Sequence, residues 1–523
     1  MHLGGRSVCC WIGRSGQLHH ESGVGIFCTK YDHFMPDRAF FEAVAQLAYA
    51  NPFLPQRIEW EKAALGEDFV EDEPIWSASV ADPERVRPNV WRIQEKLGPA
   101  LERQRAKLQR SEKDWGLYEE CVHFWLYQRY YESFAQCAVQ GAGSFLFYAD
   151  FLKDWNYWFQ ISGKNYSTAL SCEHFFACCY QLARAFHGIF DHVMGSSMPA
   201  ARLRASIWES IFTWDLRRYR QSLYRKMGDF PTLITGPSGT GKELVARAIA
   251  GARYLELSPS SRKFEEAKGG SFFAVNLAAM SAGLIESELF GHKKGAYTGA
   301  ISDRVGWLES CPRVGSVFLD ELGEMDLTVQ VKLLRVLETR EFSAVGDTTV
   351  RRFGGKLIAA TNRDLAAGIA AGKFREDLYF RLCADQIRTP GLAEQIAAEP
   401  GVLAELVRYM ARRAGAEEAF PAVWEWIETS LPKGYAWPGN YRELEQCVRN
   451  VLIRGSYRPL EVLRSGDPAL GRVERGEMTA EELLRWYAGR IHQEAGSFVE
   501  TARRLGVDRR TVRGWLGAGG GVD

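Results

Sequence analysis

Apolar residues change their rhythm twice along this chain. Between residues 118 and 159 large aromatics crowd together, among them Phe124, Trp125, Tyr127, Tyr130, Tyr131, Phe134, Trp155, Tyr157 and Trp158. Few Gly or Pro residues interrupt them, which predicts buried helices, and a charged helical stretch at 101–114 leads in. Around Gly195-Ser196-Ser197 the pattern turns to short apolar runs at 231–235, 316–319 and 356–360, separated by helical patterns. Such runs predict strands of a parallel sheet covered on both faces. From 392 to 454 the periodicity is helical again. Residues 455–478 are rich in Gly, Pro and charge and read as a linker, followed by a last helical unit and a Gly-rich tail. The expected fold is multidomain. It has a mostly helical N-terminal domain over 1–190, an α/β P-loop core with a parallel sheet over 191–390 and a helical lid over 391–455. A linker over 456–478 and a helix-turn-helix over 479–518 complete it, with no internal repeats.

Composition narrows the function classes. A length of 523 residues exceeds what one core supports. Lys plus Arg equals Asp plus Glu at 65 each, so any nucleic-acid contact must come from a local patch. No apolar run reaches the roughly 18–20 residues of a membrane span, and the N-terminus has no apolar secretory core. The odd count of 11 cysteines lacks a disulfide-framework spacing, which points to a reducing cytoplasm.

Two motifs carry chemistry by spacing alone. Gly236-Pro237-Ser238-Gly239-Thr240-Gly241-Lys242-Glu243 follows an apolar strand and precedes a helical pattern. In that context backbone N–H groups near Gly239 and Gly241 converge on a phosphate, and Lys242 neutralises the β- and γ-phosphate oxygens of ATP. Glu243 stands where Ser or Thr is usual. Downstream, an apolar strand ends in Asp320 and Glu321. Asp320 would hold Mg²⁺ and Glu321 would polarise the attacking water.

Between these motifs lies Gly295-Ala296-Tyr297-Thr298-Gly299-Ala300, preceded by Glu286-Ser287-Glu288-Leu289-Phe290-Gly291-His292. This GAYTGA segment resembles the GAFTGA loop of bacterial sigma-54 activators, AAA+ ATPases that remodel sigma-54 RNA polymerase. The resemblance runs from about 195 to 455, and GTGKE, with Glu243, is the family's form. It implies further roles. Asn276 is the switch asparagine, although a strand-end turn residue is its plainer reading. Thr361 and Asn362 are the sensor I groups, and Arg442 of the Trp437-Pro438-Gly439-Asn440 segment is sensor II. Arg375 and Arg381 are arginine fingers acting on the neighbouring subunit's nucleotide. On the residues themselves, Asn440 and Glu443 read as a helix cap and its partner. Residues 340–348 match a second pore-facing loop.

Near the C-terminus, Gly506 and Asp508 separate two helical patterns. Arg509, Arg510, Thr511 and Arg513 on the second would meet phosphates and base edges of double-stranded DNA. The unit resembles the Fis-like DNA-binding modules of the same activators. The family implies a homo-oligomer, a hexamer built from dimers, acting with ATP and Mg²⁺ on sigma-54 RNA polymerase from upstream DNA sites, with no membrane partner. A polypeptide unfoldase and a repressor with a vestigial ATPase are the rival readings. In the N-terminal domain Cys172, His174, Cys178 and Cys179 lie close enough for a metal or redox sensor, or for plain core packing. An effector at this domain is expected but unidentified.

Overall fold

The computed structural model describes residues 37–71, 88–108, 114–140, 145–161, 168, 170–264, 272–432, 434–459, 476 and 478–516. The first 36 residues, most of the expected linker and the Gly-rich tail lie outside them. Among the described residues no helix is long and apolar enough to cross a membrane.

The aromatic-rich region forms helices Trp115–Arg129, Tyr131–Gln140 and Tyr148–Phe159, as its periodicity predicts. They pack with Arg38–Tyr49, Gln56–Leu65 and Pro88–Leu108. Ring-on-ring contacts fill this core: Phe176 touches Phe134, Tyr148 and Phe151 at centroid separations of 4.9, 4.9 and 5.0 Å. Edge-to-face pairs of this kind add stability beyond the area they bury.

The helix Cys172–His192 passes through the boundary expected at residue 190. Its first half belongs to the aromatic core, whereas Leu182, Phe186, Ile189 and Phe190 join a second core beneath the sheet. Phe53 inserts into that second core, stacked on Phe186 at 5.7 Å. Polar ties cross the same seam: Gln181 Nε2 donates to Ala252 O (2.8 Å), and Asn51 Nδ2 donates to Ala205 O (3.1 Å). The helical N-terminal body and the α/β core therefore share packing.

The core is a five-stranded parallel sheet of β1 (Thr232–Thr235), β2 (Phe272–Asn276), β5 (Ser316–Asp320), β8 (Lys356–Thr361) and β9 (Gln386–Arg388), in the order β2-β5-β8-β1-β9. Successive residues face opposite layers. Ile234, Phe318 and Ile358 point to the seam core, whereas Leu233, Val317, Leu319 and Leu357 meet the helices Ala282–Phe290 and Leu327–Thr339. Two hairpins project from this unit: β3 (Gly291–His292) with β4 (Arg304–Val305), and β6 (Glu341–Phe342) with β7 (Arg351–Arg352). The lid has its own core around Val402, Leu406, Trp437 and Leu444.

Two expectations follow. Phe53→Ala should cost roughly 3–5 kcal/mol and lower one shared calorimetric transition of the N-terminal body and α/β core; separate transitions, with the core's unmoved, would contradict the shared packing. Lys356 opens β8 wholly buried, donating to Phe230 O at 2.8 Å, and burial pushes its pKa from 10.5 down to about 7, with Asp385 opposing. The folded state releases this proton above pH 7 while the unfolded chain keeps it to about 10. Stability should therefore rise with pH across that window relative to Lys356→Met, by up to about 1.4 kcal/mol per pH unit. Parallel denaturation curves between pH 7 and 9 for the two proteins would refute it.

Candidate nucleotide site and loop tip

The loop after β1 is shaped by three glycines at φ 144°, 76° and 84° (Gly236, Gly239, Gly241). Only glycine takes these angles readily, and a Cβ at Gly236 or Gly239 would strike Thr389 or the Gly439 carbonyl. Gly241 ends the loop and precedes the helix Lys242–Gly251, whose first N–H groups face outward from its N-terminus. Lys242 is buried and donates to Gly236 O and Pro237 O, both at 3.0 Å. Burial lowers its pKa, while Glu321 and Asp320 pull it up and Arg442 opposes them. Thr240 Oγ1 donates to Pro237 O (2.8 Å) and meets Thr389 Oγ1 at 2.7 Å. Glu243 is held by Arg247 at 2.6 Å, one turn along the helix surface.

Asp320 ends β5 directly opposite Asn276 of β2 in the sheet register. Burial raises the Asp320 pKa, and its Oδ1 accepts the Glu321 N–H at 3.0 Å. Glu321 adopts φ 54°, ψ 49°, a left-handed conformation that costs a non-glycine residue energy. The Asn276 side chain accepts from Ala278 N (3.0 Å) and caps the following turn, so its strand-end role is present in the fold. Thr361 closes β8 fully buried and accepts from Arg363 N at 3.1 Å, with Asn362 exposed beside it.

The lid reaches this loop through its own backbone. Tyr441 N donates to Gly239 O (3.1 Å), and Asn440 Nδ2 donates to Ser238 O (2.9 Å) while its Oδ1 accepts from Leu392 N (2.8 Å). The capping role read for Asn440 is corrected here. It is the first helical residue, at φ 53°, and makes no cap bond because its amide is committed to the loop and to Leu392. Glu443 does reach back, accepting from Gly439 N at 2.7 Å. Arg442 is exposed beside Gly239, near enough to act on the charges of Lys242 and Asp320. A narrow crevice lined by His192, Val193, Thr240, Gly241, Leu244 and Tyr441 adjoins the loop. Asn440, Thr389 and His192 were missed as site residues. Asn440 sits inside a recognised motif, but nothing in the local sequence marks the other two.

Arg375 and Arg381 lie elsewhere, the first just before the helix Glu376–Leu382 and the second in its last turn. Both are exposed, paired with Asp377 at 2.6 Å and Glu338 at 3.4 Å. The Arg375 N–H is fixed by the buried Gln330 Oε1 at 2.9 Å.

Residues 295–300 form the tip of the β3–β4 hairpin. Gly295 and Gly299 take φ 82° and 105°, and Gly295 N donates to Ala300 O at 2.9 Å. Lys293 and the Lys294 N–H are both held by Asp303, at 2.7 and 2.8 Å. Tyr297 does not stand free: its ring meets His292 edge-on at 5.1 Å, and His292 Nδ1 bonds Ser287 Oγ at 2.7 Å. Thr298 is exposed. The second hairpin supports the base, with Val345 N donating to Gly291 O (2.9 Å) and Lys293 N donating to Val345 O (3.0 Å).

The tail folds as helices Ala480–Ala495, Phe498–Leu505 and Arg509–Leu516. Gly506 turns the chain at φ 66°, and Asp508 caps the last helix by accepting from Arg510 N (2.6 Å) and Thr511 N (3.1 Å). Arg509, Arg510 and Arg513 are exposed, whereas the Thr511 hydroxyl is taken by Asp508 at 3.0 Å.

In the N-terminal body both His174 nitrogens are engaged, by Tyr254 Oη and Arg220 O at 2.7 Å each. Cys172 and Cys178 are buried, with pKa values raised to about 12 by burial. Among the described residues no group of three or more His, Cys, Asp or Glu is arranged to hold a metal. The four side chains read as core and seam.

Residues 216–388 match the Sigma-54 interaction domain family. The chain is 41% identical over 236 residues to the DNA-binding transcriptional regulator NtrC of Rhizobium meliloti (strain 1021), covering 44% of this chain and 45% of that protein. It is 42% identical over 221 residues to the Nif-specific regulatory protein of Azotobacter vinelandii, covering 42% and 39%. The matched region thus spans about half or less of these relatives. With the Sigma54-dependent transcriptional regulator SfnR of Pseudomonas fluorescens (strain Pf0-1) it shares 36% identity over 277 residues, 51% of this chain and 71% of that one. A glycine-shaped loop beside paired carboxylates, a hairpin tip on the same sheet and this coverage together place the chain in the family of sigma-54-dependent transcriptional regulators.

Proposed function

We propose that the chain is a sigma-54-dependent transcriptional activator that binds upstream DNA and couples ATP hydrolysis in a homo-oligomeric ring, a hexamer built from dimers, to open-complex formation by sigma-54 RNA polymerase in the cytoplasm. The observation that carries this reading is the GAYTGA tip, rooted through β3, β4 and the second hairpin on the unit that holds the phosphate loop. A polypeptide unfoldase would have no use for the arginine-bearing DNA-binding tail, and a vestigial ATPase would not keep Lys242, Asp320 and Glu321 together.

The donor set fits ATP and Mg²⁺. Residues 236–243 offer amides and the Lys242 ammonium to phosphates, the narrow crevice by His192 and Tyr441 adjoins them, and Asp320 offers an anionic oxygen for the metal. Mg²⁺ would supply charge neutralisation on the phosphate oxygens. Glu321 would orient and deprotonate water, with Asn276 paired across the strands to the preceding Asp320. Thr361, Asn362 and Arg442 would read the phosphate state, and Arg375 and Arg381 of one subunit would stabilise charge on its neighbour's nucleotide. Arg509, Arg510, Thr511 and Arg513 would meet DNA.

The direct test is open-complex formation on a sigma-54 promoter in vitro. Wild type plus ATP should open the promoter, Glu321→Gln should bind ATP but lose turnover by about 10²-fold or more, and Thr298→Ala should hydrolyse ATP without opening it. Hydrolysis by wild type with no opening, or an unaffected Thr298→Ala, would sink the proposal. A second expectation concerns the lid: Asn440→Ala removes the hydrogen bonds to Ser238 O and from Leu392 N, about 1–3 kcal/mol, and should weaken ATP binding roughly ten-fold by calorimetry. Unchanged affinity would contradict a lid seated through Asn440.

A further inference from the structure

At the edge of the sheet where β1, β5 and β8 begin, opposite the phosphate loop, lies a cavity of about 380 Å³. That volume falls among small-molecule sites. Five arginines, Arg225, Arg253, Arg313, Arg340 and Arg352, line it together with Lys356, against a single lining carboxylate, Asp229. Asp229 pairs with Arg340 at 3.3 Å, and Glu256 outside the lining joins Arg225 at 2.7 Å and Arg313 at 3.9 Å. Among the described residues Arg253, Arg352 and Lys356 form no ion pair. Arg253 donates from Nη2 to Arg313 O at 3.1 Å, but its Nη1 is buried without a hydrogen-bond partner. A buried guanidinium donor left unmatched is costly, and its planar fork fits the paired oxygens of a carboxylate or phosphate.

We propose that this cavity binds a small molecule carrying an oxyanion, a carboxylate or a phosphate, held by Arg253, Arg352 and Lys356, with Tyr219, Tyr224 and Phe353 offering apolar faces to its body. Burial holds Lys356 near pH 7 in its proton affinity, and an anion at this place restores its charge. The cavity is separate from the nucleotide site, since it lies at the opposite ends of the strands. Its walls come from several elements. Gln181 and Tyr254 come from the seam with the N-terminal body. Arg340 ends the helix Leu327–Thr339 and donates to Gly228 O and Gly355 O. Arg352 lies in β7, whose hairpin turn at Gly346 abuts Ala296 of the GAYTGA tip. An occupant would thus brace the second hairpin against the seam. Binding itself does not depend on the activator reading.

The experiment uses the full chain carrying Lys242→Ala, which weakens phosphate binding at the nucleotide loop. Inorganic phosphate and benzoate are titrated separately and followed by thermal unfolding and calorimetry. Saturable binding of either is expected, with affinity falling ten-fold or more in Arg253→Met and in Arg352→Ala; phosphate alone would indicate a phosphoryl ligand and benzoate alone a carboxylate. Should Arg253→Met fail to fold, Arg352→Ala, at an exposed position, decides. No saturable binding of either probe, or binding unchanged in the arginine variants, overturns the proposal.

Discussion

The register of the parallel sheet is the constraint on which the rest of the structure depends. Thr235 of β1 stands beside Thr361 of β8, and Asn276 of β2 stands beside Asp320 of β5. A slip of one residue in any strand would turn its buried residues to the other layer and carry the terminal polar group away from its neighbours. Burial on both faces forbids that slip: Phe318 and Leu319 must reach different cores. Hydrophobic alternation therefore fixes where the phosphate loop, the paired carboxylates and Thr361 emerge, all at the carboxyl ends of the strands, where α/β sheets bind ligands.

From that edge, two connections carry position outward. The lid is seated by main-chain and amide bonds from Tyr441 and Asn440 to the loop itself, so lid angle and loop shape are one variable. The hairpins are linked in series, with the second hairpin bonded to the base of the first through Val345. At the opposite edge the helix Cys172–His192 divides its packing between the aromatic core and the core under the sheet. The N-terminal body is thereby joined to the α/β core by one continuous helix and by shared packing.

Much of this was legible in the sequence, for identifiable reasons. Buried strands write themselves as apolar runs, and phosphate loops need glycines at fixed spacing, so β1, β5, β8 and residues 236–243 could be read directly. The aromatic helices followed from an uninterrupted apolar pattern. What stayed hidden depends on long-range partners. Asn440 looks like a cap because the local pattern with Glu443 is that of a cap; only the proximity of Ser238 and Leu392 diverts its amide. Tyr297 looks like a free tip residue because its contact with His292 depends on the hairpin's fold. The basic cavity was invisible because its arginines are scattered from 225 to 352 among chains of balanced charge. The shared seam escaped because composition changes at Gly195 while packing changes within the helix before it.

On the proposed reading, the groups at the sheet edge form half of a catalytic site that Arg375 and Arg381 of a neighbouring copy complete; within one chain those arginines are exposed and paired with Asp377 and Glu338. Subunit mixing tests it most directly. Glu321→Gln and the double variant Arg375→Ala/Arg381→Ala should each be inactive alone, and mixing them should restore a measurable fraction of ATP hydrolysis, because intact arginines of the first would meet intact Glu321 of the second. A mixture that exchanges subunits yet stays as inactive as its parts would contradict the account.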